Sequence, residues 1–312
     1  MQHKIVVCFN TEFVKLVTSL INATLAQQQR CSLWFEEEVE RDLRWVYGIS
    51  KILHIGASEF QTIELVQSGP FGKVLLLDGK LQSAELDEFV YHESIVHPAL
   101  LYHSNPKSVF IMGGGEGSTA REALKHLSVK KVVMCDIDQE VVDFCRDHMT
   151  ENAEAFSSPR LELVINDARA ELESCNENLI VNQHPPVHHE GWMAGPAGIL
   201  SHREVYSSIY NTLRQTFKYV VPYAAHVPSF ADTWGWVMAS DQAFPMIKME
   251  EINYRIQNRI QGELHFLDGQ TLCATLALNK HVWKTLAGET HIFTEDSARF
   301  IHGHGRAFKN QE

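Results

Sequence analysis

Hydrophobic and polar positions change rhythm along this 312-residue chain. From Leu33 to Tyr102 short extended runs alternate with turn residues: Thr62-Ile63-Glu64-Leu65-Val66, then Lys73-Val74-Leu75-Leu76-Leu77, the pair Asp78-Gly79, and Lys80-Leu81-Gln82-Ser83. An Asp-Gly pair between two such runs predicts a tight hairpin, because both turn positions need positive φ. A helix is predicted from Asp87 to Leu101, its apolar Phe89, Ile95, Val96 and Leu100 set among Asp87, Glu88, Tyr91, His92 and Glu93, with Pro98 as a point of kinking.

At Asn105-Pro106-Lys107 the rhythm becomes strand-then-helix, which predicts a parallel, doubly wound α/β sheet. Its strands are Val109-Phe110-Ile111-Met112, Lys131-Val132-Val133-Met134-Cys135, Leu161-Glu162-Leu163-Val164-Ile165 and a short Leu179-Ile180-Val181. One helix is placed at Ser118, where Thr119 and Glu122 have capping-box spacing, and another at Ser201, with Glu204 three residues on. Tyr219-Val220-Val221 and Trp234-Gly235-Trp236-Val237-Met238 read as closing strands. Between Ser174 and Met193 the chain is neither a clean strand nor a helix, and it reads as a seam. The resulting division is an extension over 1–32, a β domain over 33–104, an α/β domain over 105–290 disrupted near 174–193, and a tail over 291–312.

Charge narrows the partners. With 27 Lys+Arg against 39 Asp+Glu the formal charge is −12, which disfavours nucleic acid and anionic membranes and favours a cationic ligand. The six cysteines are scattered without metal-ligand spacing, so neither a disulfide framework nor a metal site is indicated, and a reducing, cytoplasmic setting is expected. No run approaches a membrane span, and the N-terminus lacks the pattern of a secretory signal.

Gly113-Gly114-Gly115-Glu116-Gly117 follows an apolar strand and precedes a helix, so its backbone can bend sharply beside a ligand. Asp136 ends the next strand and Asp167 the one after, at carboxyl ends where such sheets bind ligands. A carboxylate at Glu116 would repel a pyrophosphate but suits an adenosyl sulfonium. The bland alternative is an ordinary glycine turn with solvated acids. The run Asp87-Glu88-Phe89-Val90-Tyr91-His92-Glu93 is likewise either a solvated acidic helix face or one wall of a polyamine groove.

Taken with Leu77-Asp78-Gly79-Lys80-Leu81-Gln82-Ser83-Ala84-Glu85 and Cys135-Asp136-Ile137-Asp138, these motifs resemble the spermidine synthase family of aminopropyltransferases. His226-Val227-Pro228-Ser229-Phe230-Ala231-Asp232-Thr233-Trp234-Gly235-Trp236 and Ala298-Arg299-Phe300-Ile301-His302-Gly303-His304-Gly305 narrow the likeness to the ACAULIS-type thermospermine synthases of plants. The resemblance implies a Rossmann-like (class I methyltransferase-like) α/β fold, mostly parallel, with a small N-terminal β-hairpin domain. It also implies transfer of an aminopropyl group from decarboxylated S-adenosylmethionine, a co-substrate rather than a cofactor, to spermidine, giving thermospermine and methylthioadenosine. By motif, Gln61, Gln82, His92, Gly113, Gly115, Glu116, Gly117, Asp136, Asp167 and Ala168 would hold the donor; Tyr91, Glu93, Phe230 and Trp234 would border the polyamine; and the chain would form a homo-oligomer, dimeric or larger.

One element of the family pattern is missing. The family's proton-accepting aspartate follows its fourth strand in a Gly-Asp-x-x-Asp-Pro-like motif. Here Leu179-Ile180-Val181 is followed by Asn182-Gln183, neither of which is a base, and the family's next helix and strand are replaced by Asn182 to Trp192. No catalytic base is therefore assigned, and the sheet is expected to lack a strand. His184, His188 and His189 offer a substitute base or a metal reading, against the plainer one of a solvated loop in a splice-type product. The readings that remain are an impaired aminopropyltransferase of thermospermine, spermidine or spermine type, a noncatalytic binder of ligand or of full-length subunits, and an ordinary methyltransferase.

Overall fold

Alternating inward and outward side chains build the first sheet in the computed structural model, which describes residues 33–40, 42–174, 179–182, 197–294 and 297. Strands β1 (Leu33–Glu40), β2 (Leu43–Ala57), β3 (Thr62–Ser68), β4 (Gly72–Leu77) and β5 (Lys80–Ala84) form a five-stranded antiparallel sheet in chain order. Asp78 (φ 50°) and Gly79 (φ 66°) turn β4 into β5 as the Asp-Gly signal requires. The pleat sends Ile63, Leu65 and Leu75 to one face, against Val141, Phe144 and Cys145, and sends Val66, Val74 and Leu76 to the other.

Helix α1 (Glu88–Tyr102) crosses from this sheet into the main core, burying Ile95, Val96, Ala99 and Leu100. Pro98 has no amide to offer the Ser94 carbonyl one turn back, and the Tyr223 hydroxyl donates to that carbonyl instead at 2.8 Å. A proline inside the helix is thus compensated by a tyrosine from a distant strand.

Strands β6 (Ser108–Met112), β7 (Lys131–Asp136), β8 (Leu161–Ile165) and β9 (Leu179–Asn182) form a parallel four-stranded sheet in the order β8-β7-β6-β9. Helix α2 (Ser118–Leu124) follows β6, α3 (Gln139–His148) follows β7 and α4 (Ala153–Phe156) comes before β8, while α5 (Ala168–Ser174) leads to β9. Strands β10 (Ala197–Gly198), β11 (Tyr219–Val227) and β12 (Asp232–Ser240) make a separate antiparallel sheet, order β10-β12-β11, with α6 (Arg203–Thr216) packed on it. The closing strands therefore exist, but among the described residues they do not join the parallel sheet, which ends at β9. The seam after β9, the extension over 1–32 and the tail motif lie outside the described residues.

The structure corrects both capping boxes. Gly117, left-handed at φ 93°, caps α2 without a side-chain bond, and Glu122 is instead buried in ion pairs. Helix α6 starts at Arg203, while the Ser201 hydroxyl and amide both donate to Asp232. Helices α7 (Met249–Arg259), α8 (Gly269–Thr275) and α9 (Lys280–Gly288) were not assigned from the pattern. Among the described residues, no helix is long and apolar enough to cross a membrane.

Candidate active site

Glycine conformations make the loop after β6 possible. Gly113, Gly114 and Gly117 have φ of 80°, 87° and 93°, and a Cβ on Gly115 would lie 2.9 Å from Asp136 Oδ2. The Gly115 amide donates to that oxygen at 2.8 Å, so the loop after β6 is tied to the end of β7. Asp138 caps α3 through Val141 and accepts from Ser58 Oγ (2.6 Å) and Gln61 Nε2 (2.8 Å), which brings the first sheet onto the same carboxyl end.

Glu116 points back across the loop. Its Oε1 accepts from Ser118 Oγ at 2.6 Å and from Ser83 Oγ at 2.8 Å, while Oε2 lies 3.9 Å from His92 Nε2. Burial pushes the Glu116 carboxyl above its ordinary range, and His92 only partly offsets this. On α1, one turn before His92, Glu88 places Oε2 2.6 Å and its carbonyl oxygen 2.9 Å from His92 Nδ1. Both neighbours are acceptors, so Nδ1 carries a proton in either charge state and Nε2, facing Glu116, is the atom that titrates.

Burial opposes the imidazolium, but the charge of Glu116 and the Glu88 bond outweigh it and hold His92 above its ordinary value. Burial also opposes the Glu88 carboxylate, yet His92 and Arg121 bring that group below its usual range. Because the folded chain holds the His92 proton more tightly, the resulting stability is full below the ordinary value of 6.5 and is lost as pH rises through the folded value. The Glu88 contribution is present above 4.5 and is lost as pH falls through its lowered value. On the alkaline side the thermal midpoint of the wild type is expected to drop while that of His92→Gln stays flat. Equal drops in both would contradict this assignment.

Tyr91 fixes the other wall. Its ring meets those of Phe230, Trp234 and Trp236 edge-on at 5.7, 5.9 and 5.8 Å, and Phe230 lies 4.6 Å from Trp234. Burial raises the Tyr91 phenol well above its ordinary value, so it is a neutral hydroxyl at physiological pH. Aromatic faces beside a carboxylate suit an alkylammonium ligand.

The predicted residues divide accordingly. His92, Glu116 and the glycines Gly113, Gly115 and Gly117 come together with Asp136, and Tyr91, Phe230 and Trp234 stand beside them. Gln61 is bonded to Asp138. Asp167 is exposed, binds the Arg169 amide and leads into α5 at Ala168. Gln82 is exposed, and among the described residues its amide reaches the Lys80 carbonyl and none of the other donor residues. Glu93 is 0% exposed, and its oxygens accept the amides of His265, Phe266 and Leu267, so it braces a loop. The solvated acidic face does not occur, since Asp87, His92 and Glu93 are buried.

Sequence reasoning missed Ser83, Arg121 and Asn152. Arg121, three residues after Ser118 on the capped helix, was legible only as a helix position. Glu88, His92 and Glu116 bring ligand atoms within 4.8 Å of one another, a geometry that also suits a metal ion, but Arg121 already supplies countercharge at Glu88.

This is an α/β protein with a glycine loop between a parallel strand and a helix, preceded by an antiparallel sheet. The chain belongs to the spermidine synthase family of aminopropyltransferases: residues 33–85 match the spermidine synthase tetramerisation domain and residues 88–185 the spermine/spermidine synthase domain. It is 50% identical over 321 residues to thermospermine synthase ACAULIS5 of Arabidopsis thaliana, covering 94% of each chain. It is 37% identical over 276 residues to a polyamine aminopropyltransferase of Sulfurisphaera tokodaii, covering 80% of this chain and 92% of that one. Its fold is similar to that of spermidine synthase from Thermotoga maritima, with a TM-score of 0.77 and 24% identity, over 83% of this chain and 96% of the other.

Proposed function

We propose that the chain serves polyamine biosynthesis by taking decarboxylated S-adenosylmethionine as aminopropyl donor and spermidine as acceptor, giving thermospermine and methylthioadenosine. The observation that carries this reading is the meeting of Glu116 and His92 with the Tyr91, Phe230 and Trp234 rings at the end of β6. The 50% identity to a thermospermine synthase supports the choice of acceptor. In the reaction an amine lone pair attacks the carbon next to the sulfonium, the carbon–sulfur bond breaks, and the new ammonium loses a proton. Asp136 would hold ribose hydroxyls, and Asp167 and Ala168 would lie towards the adenine. Glu116 would face the positive charge of the donor, and the aromatic wall would receive the acceptor.

An amine with a pKa of about 10 is mostly protonated at neutral pH and needs a base. Among the described residues β9 ends at Asn182, where the family resemblance places the approach to its aspartate. This favours a second reading: a noncatalytic chain that still binds donor or full-length subunits, the loss of a base alone costing about 10² to 10⁴ in rate. The match to the Arabidopsis relative runs over 321 positions while only 94% of this 312-residue chain takes part, which supports a passage absent from it. Methylthioadenosine release from donor and spermidine, with putrescine in parallel, separates the readings. Spermidine-dependent release supports the enzyme, binding without release supports the second reading, and the absence of both sinks the proposal.

Self-association belongs to the same reading. Trp34, at 65% exposure, and Ile55, at 63%, project from β1 and β2 in the segment that matches a tetramerisation domain. A monomer by light scattering at micromolar concentration would overturn it.

A further inference from the structure

Arg121 stands behind the candidate site and touches none of the atoms that would face a ligand. Each of its three nitrogens nonetheless has a partner: NH2 donates to Glu88 Oε1 at 2.6 Å, NH1 to Asn152 Oδ1 at 2.7 Å and Nε to Glu122 Oε1 at 3.0 Å. Glu88 leads to His92, and His92 to Glu116. In the other direction Asn152 Nδ2 donates to Ser118 Oγ at 3.0 Å and to the Glu116 carbonyl at 2.9 Å, and Ser118 donates to Glu116 Oε1. The chain of contacts that leaves Arg121 by one amino group therefore returns to it by another.

We propose that Arg121 is a positioning residue for the candidate site, its planar fork closing a ring of side chains that fixes His92 and Glu116 relative to one another. Resting on the donor-site reading above, this assigns to Arg121 the placement of Glu116 Oε2 and His92 Nε2 where the charged end of the donor would come. Glu122 anchors the fork: its carboxylate is also held by His97 (3.0 Å) and Lys125 (2.8 Å), with His97 bonded in turn to His126 at 2.9 Å. A lysine at 121 would keep the charge but could not serve Glu88, Asn152 and Glu122 from one plane. Geometry rather than charge is thus the property at stake.

The test compares Arg121→Lys with the wild type by calorimetry, using decarboxylated S-adenosylmethionine and neutral methylthioadenosine, and reads the His92 ring nitrogens by NMR with ¹⁵N-labelled histidine, assigned through His92→Gln. Positioning predicts that donor affinity falls about tenfold or more, that methylthioadenosine affinity stays within about twofold, and that the His92 nitrogen shifts move. Unchanged donor affinity with unchanged His92 shifts would overturn the proposal. So would a parallel loss of both ligands with a lowered melting temperature, the mark of a scaffold role alone. A wild type that binds neither nucleoside while its His92 shifts still respond to Arg121→Lys would sink the donor-site reading and leave the positioning assignment standing. If Arg121→Lys does not fold, Glu88→Gln cuts the same link with little change of shape and is expected to move the same signals.

Discussion

Glu93→Ala is expected to destabilise the protein by about 3 to 5 kcal/mol, because it leaves buried backbone donors without an acceptor. The amides of His265, Phe266 and Leu267 reach the carboxylate at 2.6, 2.9 and 2.8 Å, in a position from which water is excluded. For a chain of this size that corresponds to a thermal midpoint lower by roughly 5 to 8 °C. Glu93→Gln should fall between, since its amide keeps one oxygen but turns a donor towards other donors. Thermal melts of both variants check the ordering. If Glu93→Ala melts like the wild type and only its apparent KM for spermidine rises, Glu93 is an amine contact after all and the bracing assignment fails.

Glu116→Gln is expected to weaken binding of decarboxylated S-adenosylmethionine by about 30- to 1000-fold while leaving methylthioadenosine nearly untouched. The substitution is close to isosteric, and the remaining oxygen can still accept from Ser83 and Ser118. What disappears is a negative charge in a buried setting, where it is worth far more to a cation than in water. The change also removes a principal cause of the raised His92 value, so that imidazole should titrate at lower pH. Calorimetry with both nucleosides and an NMR titration of His92 make the comparison. Equal losses for the charged donor and the neutral product would show that Glu116 shapes the loop rather than faces a charge.

Much of this site was legible because local signals and tertiary demands agree. The apolar run before Gly113 is a central strand, the Asp-Gly pair is the hairpin, and Asp136 ends its strand where such sheets take ligands. Capping spacing misled at Thr119 and Glu122, because a left-handed glycine already starts the helix and ion pairing draws Glu122 inward. Glu93 read as a carboxylate bordering the polyamine or as one of a row of solvated acids, and only the fold brings a loop more than 170 residues away onto it. Arg121 carried no signal at all: a guanidinium on a helix shows its partners only once Asn152 and Glu88 arrive from separate elements.

The aromatic wall also has an optical consequence. Of the chain's six tryptophans, Trp234 is half-buried against Phe230 and Tyr91, and Trp236 lies fully buried behind Tyr91. The glycine loop and the acids of the opposite wall contain no indole. An amine settling on the aromatic side would strip water from Trp234 and shift its emission, whereas a nucleoside entering over the glycines would leave that emission nearly still. On the proposed reading, the protein's own fluorescence would tell the filling of one half of the site from that of the other.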